Sequence, residues 1–291
     1  MEGSARPQTL LSETKALLRR AGLHARKGLG QHFLVDGSYL KHILTAAELT
    51  ANDNVIEVGP GLGVLTRALA ERAGYVLAVE KDEHLAGLLK DNYRGSENVK
   101  IVNQDILKED VSDLTKEFPG GEPRYKVVAN LPYYITSPVL RLFLEAQAKP
   151  ERLVVMVQKE VAKQITATPG DMSLLAVGIQ LYGEPKIIKY VPARAFYPPP
   201  DVDSAILRIV VFPKPRVDVD IVTFFTIVRA GFSAARKQII NSLSHGLELP
   251  KDEILPMLTR AGIDPQRRAE TLSIEEWGRL WQEHHAMGQG S

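Results

Sequence analysis

Five short runs rich in valine, isoleucine and leucine, "NVIEV", "YVLAVE", "VKIVNQD", "YKVVAN" and "RLVVMVQ", follow one another between residues 54 and 158. Helical spacing fills the gaps, at about 64–72, 83–92, 108–117 and 137–147. Near-continuous apolar runs suit strands covered on both faces, and strand–helix–strand repetition predicts an open parallel sheet between two helical layers. Such sheets collect ligands at the carboxyl ends of their strands. The residues that follow each run are therefore where chemistry is expected.

The flanks are simpler. Residues 10–20 have helical spacing, with Ser12 or Thr14 as a candidate cap; "KGLGQHFLVD" reads as a loop, and 38–48 as a helix. After the fifth run comes a helix at 172–183, then "PKIIKYV" and "SAILRIVVF", two strands expected to add an antiparallel edge. The prolines and charge shift of "FPKPRVDVD" place a domain boundary near residue 214. Residues 1–213 form one predicted domain, with 1–50 as an N-terminal extension, and 214–291 form a small helical one. In the second domain "IVTFFTIVRAGF", "KDEILPMLTRAG" and "SIEEWGRLWQEHH" read as helices, Ser273 caps the last, and "AMGQGS" reads as a frayed tail. No histidine and acid cluster has metal-ligand spacing, and His284-His285 is assigned to the tail region, so no metal is expected.

Composition removes several function classes. No apolar run approaches the roughly 20 residues of a membrane helix, and the start lacks the pattern of a secretory signal, so a cytoplasmic protein is expected. The chain has no cysteine, which rules out disulfides, thiolate metal sites and cysteine nucleophiles. A formal net charge of +1 announces no polyanionic partner. Its distribution says more. Between Glu13 and Asp36 there is no acidic residue, yet Arg19, Arg20, His24, Arg26, Lys27 and His32 fall there, and Arg229, Arg236 and Lys237 form a second basic group. Each cluster reads either as a solvated face or as a phosphate contact for RNA.

"VIEVGPGLGVLTRAL" runs a strand through Gly59, Gly61 and Gly63 straight into a helix. Glycines permit the tight turn and close backbone approach that a nucleotide-like ligand requires. The dinucleotide fingerprint needs a third glycine where Val64 or Thr66 stands. With Glu57 counted, the run instead resembles the first motif of class I S-adenosylmethionine-dependent methyltransferases. Glu80, ending the next strand, suits both ribose hydroxyls of either cofactor, and Asp105 after the third suits an adenine amino group or a helix cap. "NLPYY" follows the fourth strand, where Pro132 stops regular continuation and turns Asn130 and Tyr133 toward a shared space. "NLPY" resembles the motif of methyltransferases that modify exocyclic amino groups. An adenine N6 lone pair is delocalised into its ring. Accepting its N–H bonds with the Asn130 side-chain oxygen and the Leu131 carbonyl draws that nitrogen toward a nucleophilic, tetrahedral shape. Tyr133 then stacks on the base.

Taken together, "KGLGQHFLVD", "EVGPGLGVLT", "VEKD", "NQDIL", "NLPYYITSPVL", "QKEVAKQI", "VPARAFYPPPDVDSAILRI" and "FSAARKQIINSL" closely resemble the small-subunit ribosomal RNA adenine N6,N6-dimethyltransferases, over nearly the whole chain. The resemblance implies an α/β class I methyltransferase fold with a Rossmann-like, mostly parallel sheet, an antiparallel edge strand and a small C-terminal helical domain. It implies S-adenosylmethionine as methyl donor, held by His32, Leu34, Gly59, Gly61, Glu80, Asp105 and Asn130. Histidine stands at position 32 where the family often has asparagine. Phe196 is implied to sandwich the target adenine opposite Tyr133. The implied partner is small-subunit ribosomal RNA in the 30S ribosomal subunit or its assembly intermediate, met by a monomer. Three rivals stand beside this reading: a large-subunit enzyme of the macrolide-resistance type, a nicotinamide oxidoreductase, and a ribosome-assembly factor without catalysis.

Overall fold

A computed structural model describes residues 9–20, 22, 30–121, 124–234 and 236–289, with side chains to 287. Among the basic residues singled out near the N-terminus, His24, Arg26 and Lys27 lie outside the described residues. The helices are α1 (Leu10–Arg20), α2 (Gly37–Ala47), α3 (Val64–Ala70), α4 (Glu83–Asn92), α5 (Val111–Thr115), α6 (Thr136–Glu145), α7 (Lys159–Ile165), α8 (Leu174–Gln180), α9 (Ile221–Phe232), α10 (Ile239–Leu247), α11 (Lys251–Arg260) and α12 (Ile274–Gln289). The strands are β1 (Phe33–Leu34), β2 (Asn54–Val58), β3 (Tyr75–Glu80), β4 (Val99–Asn103), β5 (Tyr125–Asn130), β6 (Arg152–Gln158), β7 (Gly183–Val191), β8 (Phe196–Tyr197) and β9 (Ser204–Val211).

The chain divides into two compact units, Met1–Ala162 with Lys186–Val211, and Lys163–Pro185 with Phe212–Ser291. The first holds the sheet, ordered β4-β3-β2-β5-β6-β9-β7. Its first five strands in that order are parallel, and β9 runs antiparallel to β6 from Arg152↔Val210 to Gln158↔Ser204. The apolar runs form strands because both faces are covered: all five residues of β2 and the last five of β3 are buried. Each fully buried valine or isoleucine there contributes roughly 1.5–3 kcal/mol. Parallel strands all point their carboxyl ends the same way, which gathers Val58, Glu80, Asn103 and Asn130 along one edge.

Two expectations change here. The loop expected around "GQHFL" contains β1, which pairs antiparallel with β8 through Phe33↔Tyr197 and Leu34↔Phe196. Residues 163–185, expected in the first domain, belong to the unit of the C-terminal helices. Backbone bonds decide that membership: the Gly170 and Met172 N–H groups donate to Glu270 O at 2.9 and 3.0 Å, and Arg216 N–H donates to Leu181 O at 2.8 Å. No local sequence signal marks pairings this distant.

The second unit is helical, around a fully buried Trp277. Ser273 caps α12 reciprocally: its N–H donates to Glu276 Oε2 at 2.8 Å, and Glu276 N–H donates to Ser273 Oγ at 3.2 Å. The same helix continues through the expected frayed tail to Gln289, and the His285 ring stacks on Trp281 at 5.0 Å and 12°. α10 crosses α9 so closely that a Cβ on Gly246 would stand 2.5 Å from Ala230 Cα. Backbone cannot yield as a side chain can, so Gly246→Ala is expected to cost about 3 kcal/mol by forcing the helices apart. Urea denaturation of the variant against the wild type measures it, and a cost under about 0.5 kcal/mol would contradict the close crossing.

Candidate active site

Between β2 and α3 the chain turns at Gly59, Gly61 and Gly63, with φ of +67°, +59° and +80°. L side chains avoid this region, and there is no room for them either: a Cβ on Gly61 would lie 3.0 Å from the Phe33 ring, and one on Gly63 would lie 2.7 Å from Leu89 Cδ2. The loop is stitched to the neighbouring strand. Gly59 N–H donates to Val79 O at 2.9 Å, and Gly61 N–H donates to Glu80 Oε2 at 3.0 Å. Glu80 Oε1 accepts a further bond from Asp82 N–H at 2.8 Å. Burial raises the Glu80 carboxyl above its ordinary range, and these amides oppose that by stabilising the ionised form. Glu80 therefore braces the glycine loop as well as facing the cleft, a role its position at a strand end did not disclose.

The cleft lies wholly within the first unit. Along the sheet edge its lining runs from Asp105 and Leu107 after β4, through Glu80 of β3 and Gly59 and Gly61 after β2, to Asn130, Leu131 and Tyr133 at the end of β5; His32 and Leu34 add to it from β1 and the residue before it. Glu57, 1 % exposed, also reaches the lining, and its Oε2 has no hydrogen-bond partner. Burial pushes the Glu57 carboxyl up to about 8, with nearby Glu80 adding to the rise and the Thr66 hydroxyl opposing it. An unpartnered buried polar atom, a glycine cradle and an acid at each of two strand ends fit a ligand with a nucleoside half and a polar amino-acid half.

Asp105 does two things at once. Its Oδ1 accepts from Leu107 N–H at 3.2 Å, capping a short 3-10 turn, and its Oδ2 pairs with Lys81 Nζ at 2.9 Å. The bond from Lys81 holds its carboxyl below the usual range. The cap, one of the two alternatives in the sequence, thus uses Oδ1 and leaves Oδ2 to Lys81. Lys81 competes with any ligand amino group for Oδ2, so Lys81→Met is expected to tighten S-adenosylmethionine binding by about two- to fivefold, the scale of an exposed pair. Calorimetric titration measures the change; equal or weaker affinity would show that the lysine does not compete.

Asn130 ends β5, and its Nδ2 donates to His32 O at 2.9 Å. A carbonyl only accepts, so the amide is held with its NH2 group on β1's approach and Oδ1 left as an acceptor. Leu131 is buried and its N–H donates to Met156 O at 3.3 Å, which anchors the turn to β6. Tyr133 Oη shares a hydrogen bond with Ser204 Oγ at 2.7 Å. Burial raises the Tyr133 phenol, with the Ser204 bond opposing, so it stays neutral.

A family model described as ribosomal RNA adenine dimethylase matches residues 22–285. The chain belongs to this family. It is 52% identical over 278 residues to ribosomal RNA small subunit methyltransferase A of Dehalococcoides mccartyi, covering 95% of this chain and 94% of the relative. It is 46% identical to the protein of the same name from Pelotomaculum thermopropionicum, over 91% of this chain and 93% of the relative. Among solved structures it resembles a dimethyladenosine transferase from Plasmodium falciparum (TM-score 0.73, 25% identity, 88% of this chain and 98% of that one). It also resembles the 23S rRNA methyltransferase ErmE (TM-score 0.67, 31% identity, 86% and 98%).

One residue of this dimethylase expected at the target base, Phe196, is not on the lining of the cleft. It is 3% exposed and packed in the core with Leu34 and Ile43. Pairing with β1 sets its direction: opposite residues of a ribbon share a face, so Phe196 joins the cluster of Leu34, which itself lines the cleft, while Phe33↔Tyr197 faces the other way. The ring beside Tyr133 is His32, at 5.9 Å between centroids and 24° between planes. Its Nδ1 lies 2.8 Å from Pro198 O and must carry the proton there, because a carbonyl offers none. Sequence reasoning missed Ser204 and this use of His32, since both join residues far apart in the chain.

Proposed function

We propose that this dimethylase transfers methyl groups from S-adenosylmethionine to the N6 amino groups of two adjacent adenosines in the hairpin loop near the 3′ end of small-subunit ribosomal RNA. The observation that carries the reading is the Asn130 amide, fastened at Nδ2 and open at Oδ1 on the edge of the cleft. Oδ1 accepts one N–H of the target adenine and the Leu131 carbonyl accepts the other. Both bonds strengthen as the nitrogen loses its conjugation and its protons become acidic, so they act on the transition state more than on the bound substrate. Tyr133, held by Ser204, supplies a face for the base. Gly59, Gly61, Glu80 and Asp105 hold the methyl donor with His32 and Leu34 beside them, and the donor supplies a sulfonium-bound methyl carbon as electrophile.

Loop adenosines are the natural substrate for such a site, because an unpaired base leaves its stack at low cost. The small-subunit names of its relatives and the 52% identity to one of them favour this RNA over the large-subunit substrate named for ErmE at 31%. Arg229, Arg236 and Lys237, all exposed, would meet phosphates of the 30S ribosomal subunit or its assembly intermediate. A ribosomal RNA substrate places the proposed reaction in the cytoplasm, carried out by a monomer. Tritium transfer from labelled S-adenosylmethionine to unmodified small subunits, followed by nucleoside analysis, tests the reading. Label recovered as N6,N6-dimethyladenosine supports it; small subunits left unlabelled while large subunits, offered in parallel, take up label overturn it.

A further inference from the structure

The outermost strand β7 carries exposed Lys186 and Lys189, charges that discourage a second sheet edge from pairing with it. Tyr190 departs from that logic. Its ring is 47% exposed, and an aromatic side chain left open on an edge strand invites association rather than preventing it. Lys159 Nζ lies over this ring, 5.5 Å from the centroid.

The pair stands at the catalytic end of the sheet, joined to the target-base residues by a run of hydrogen bonds. Tyr133 Oη is bonded to Ser204 Oγ at 2.7 Å. The preceding residue, Asp203, accepts from Lys159 N–H through its carbonyl at 2.9 Å and from Ala193 N–H through Oδ1 at 3.1 Å. Ala193 lies just beyond the end of β7, whose penultimate residue is Tyr190. Exposed Arg194 follows Ala193 directly, and Asp203 Oδ1 is engaged by the backbone.

An exposed ring with an ammonium over it, a short bonded path from the reacting base, is the pairing that single-stranded nucleic acid selects: stacking tolerates any base, and the cation meets the phosphate. We propose that Tyr190 and Lys159 form a subsite for a nucleotide flanking the target adenosine, its base stacked on Tyr190 and its phosphate facing Lys159. The proposal rests on RNA being the substrate and adds where the strand runs after leaving the cleft.

Steady-state methylation of unmodified small subunits tests it. Tyr190→Ala is expected to raise KM for the subunit about tenfold, within the range of one lost stacking contact, with kcat and S-adenosylmethionine affinity unchanged. Tyr190→Phe keeps the ring and is expected to match the wild type. Lys159→Gln raises KM by a factor that shrinks as salt is added. A KM for Tyr190→Ala within twofold of the wild type overturns the subsite, as does a phenylalanine variant as impaired as the alanine one. Wild-type labelling of the same subunits keeps the two readings apart, because its absence removes the proposed function itself and the subsite with it.

Discussion

Asn130→Ala is expected to lower methyl transfer to small subunits by about a thousandfold while S-adenosylmethionine affinity changes less than about threefold. Removing one preorganised group aimed at developing charge typically costs 10²–10³ in turnover. Asn130 stands at the upper end because its amide is already oriented: Nδ2 is committed to His32 O at 2.9 Å, so no reorganisation is required when Oδ1 meets the substrate. Most of the donor-binding set keeps its own bonds, since Gly61 N–H and the Glu80 carboxylate brace one another without Asn130. Truncation also leaves the His32 carbonyl without its donor, a stability loss of about 1 kcal/mol that circular dichroism melting will register. Asn130→Asp separates the two functions of the amide: it retains an acceptor but sets a carboxylate against the His32 carbonyl, and is expected to be nearly as inactive. Single-turnover transfer near the wild-type rate in either variant would contradict the assignment.

Glu57 sets the second large effect, on stability. Its ordinary value is 4.5, and burial raises it to about 8 in the folded chain. Between those values the folded state holds a proton that the unfolded chain has released, so stability falls as pH rises. The contribution is present in full below pH 4.5, and the loss is complete once pH has passed 8. At about 1.36 kcal/mol per pH unit, the wild type is expected to lose roughly 2 kcal/mol relative to Glu57→Gln between pH 6 and 8, and little more above. Glutamine keeps the shape and removes the titration. Urea midpoints of both proteins across this range, taken without S-adenosylmethionine, give the answer; parallel curves would mean that Glu57 is ionised throughout.

Much of the site was legible in advance. Gly59, Gly61, Glu80, Asp105 and Asn130 were placed at one edge from apolar runs alone, because a parallel sheet carries every strand end to the same side. Asp105 shows the cap on Oδ1, and its other oxygen is held by Lys81. Phe196 is found buried and off the cleft lining. Its motif is local, but its direction follows from pairing with Leu34, and in a ribbon of two residues a single step of register turns a side chain to the opposite face. The allocation of 163–185 to the helical unit was likewise invisible, because it rests on bonds to Glu270 and Arg216.

The sequence by itself determined the sheet, the glycine turn and the chemical kind of side chain at each strand end, since these depend on periodicity and backbone preference over a few neighbouring residues. Tertiary structure alone decided which way those side chains are held. His32 fastens the Asn130 amide, Ser204 holds Tyr133, Lys81 occupies one oxygen of Asp105, and Glu57 is sealed from water. The physical reason is range: a hydrogen bond or a burial cost depends on what the folded chain brings within a few ångströms, and no local pattern records that.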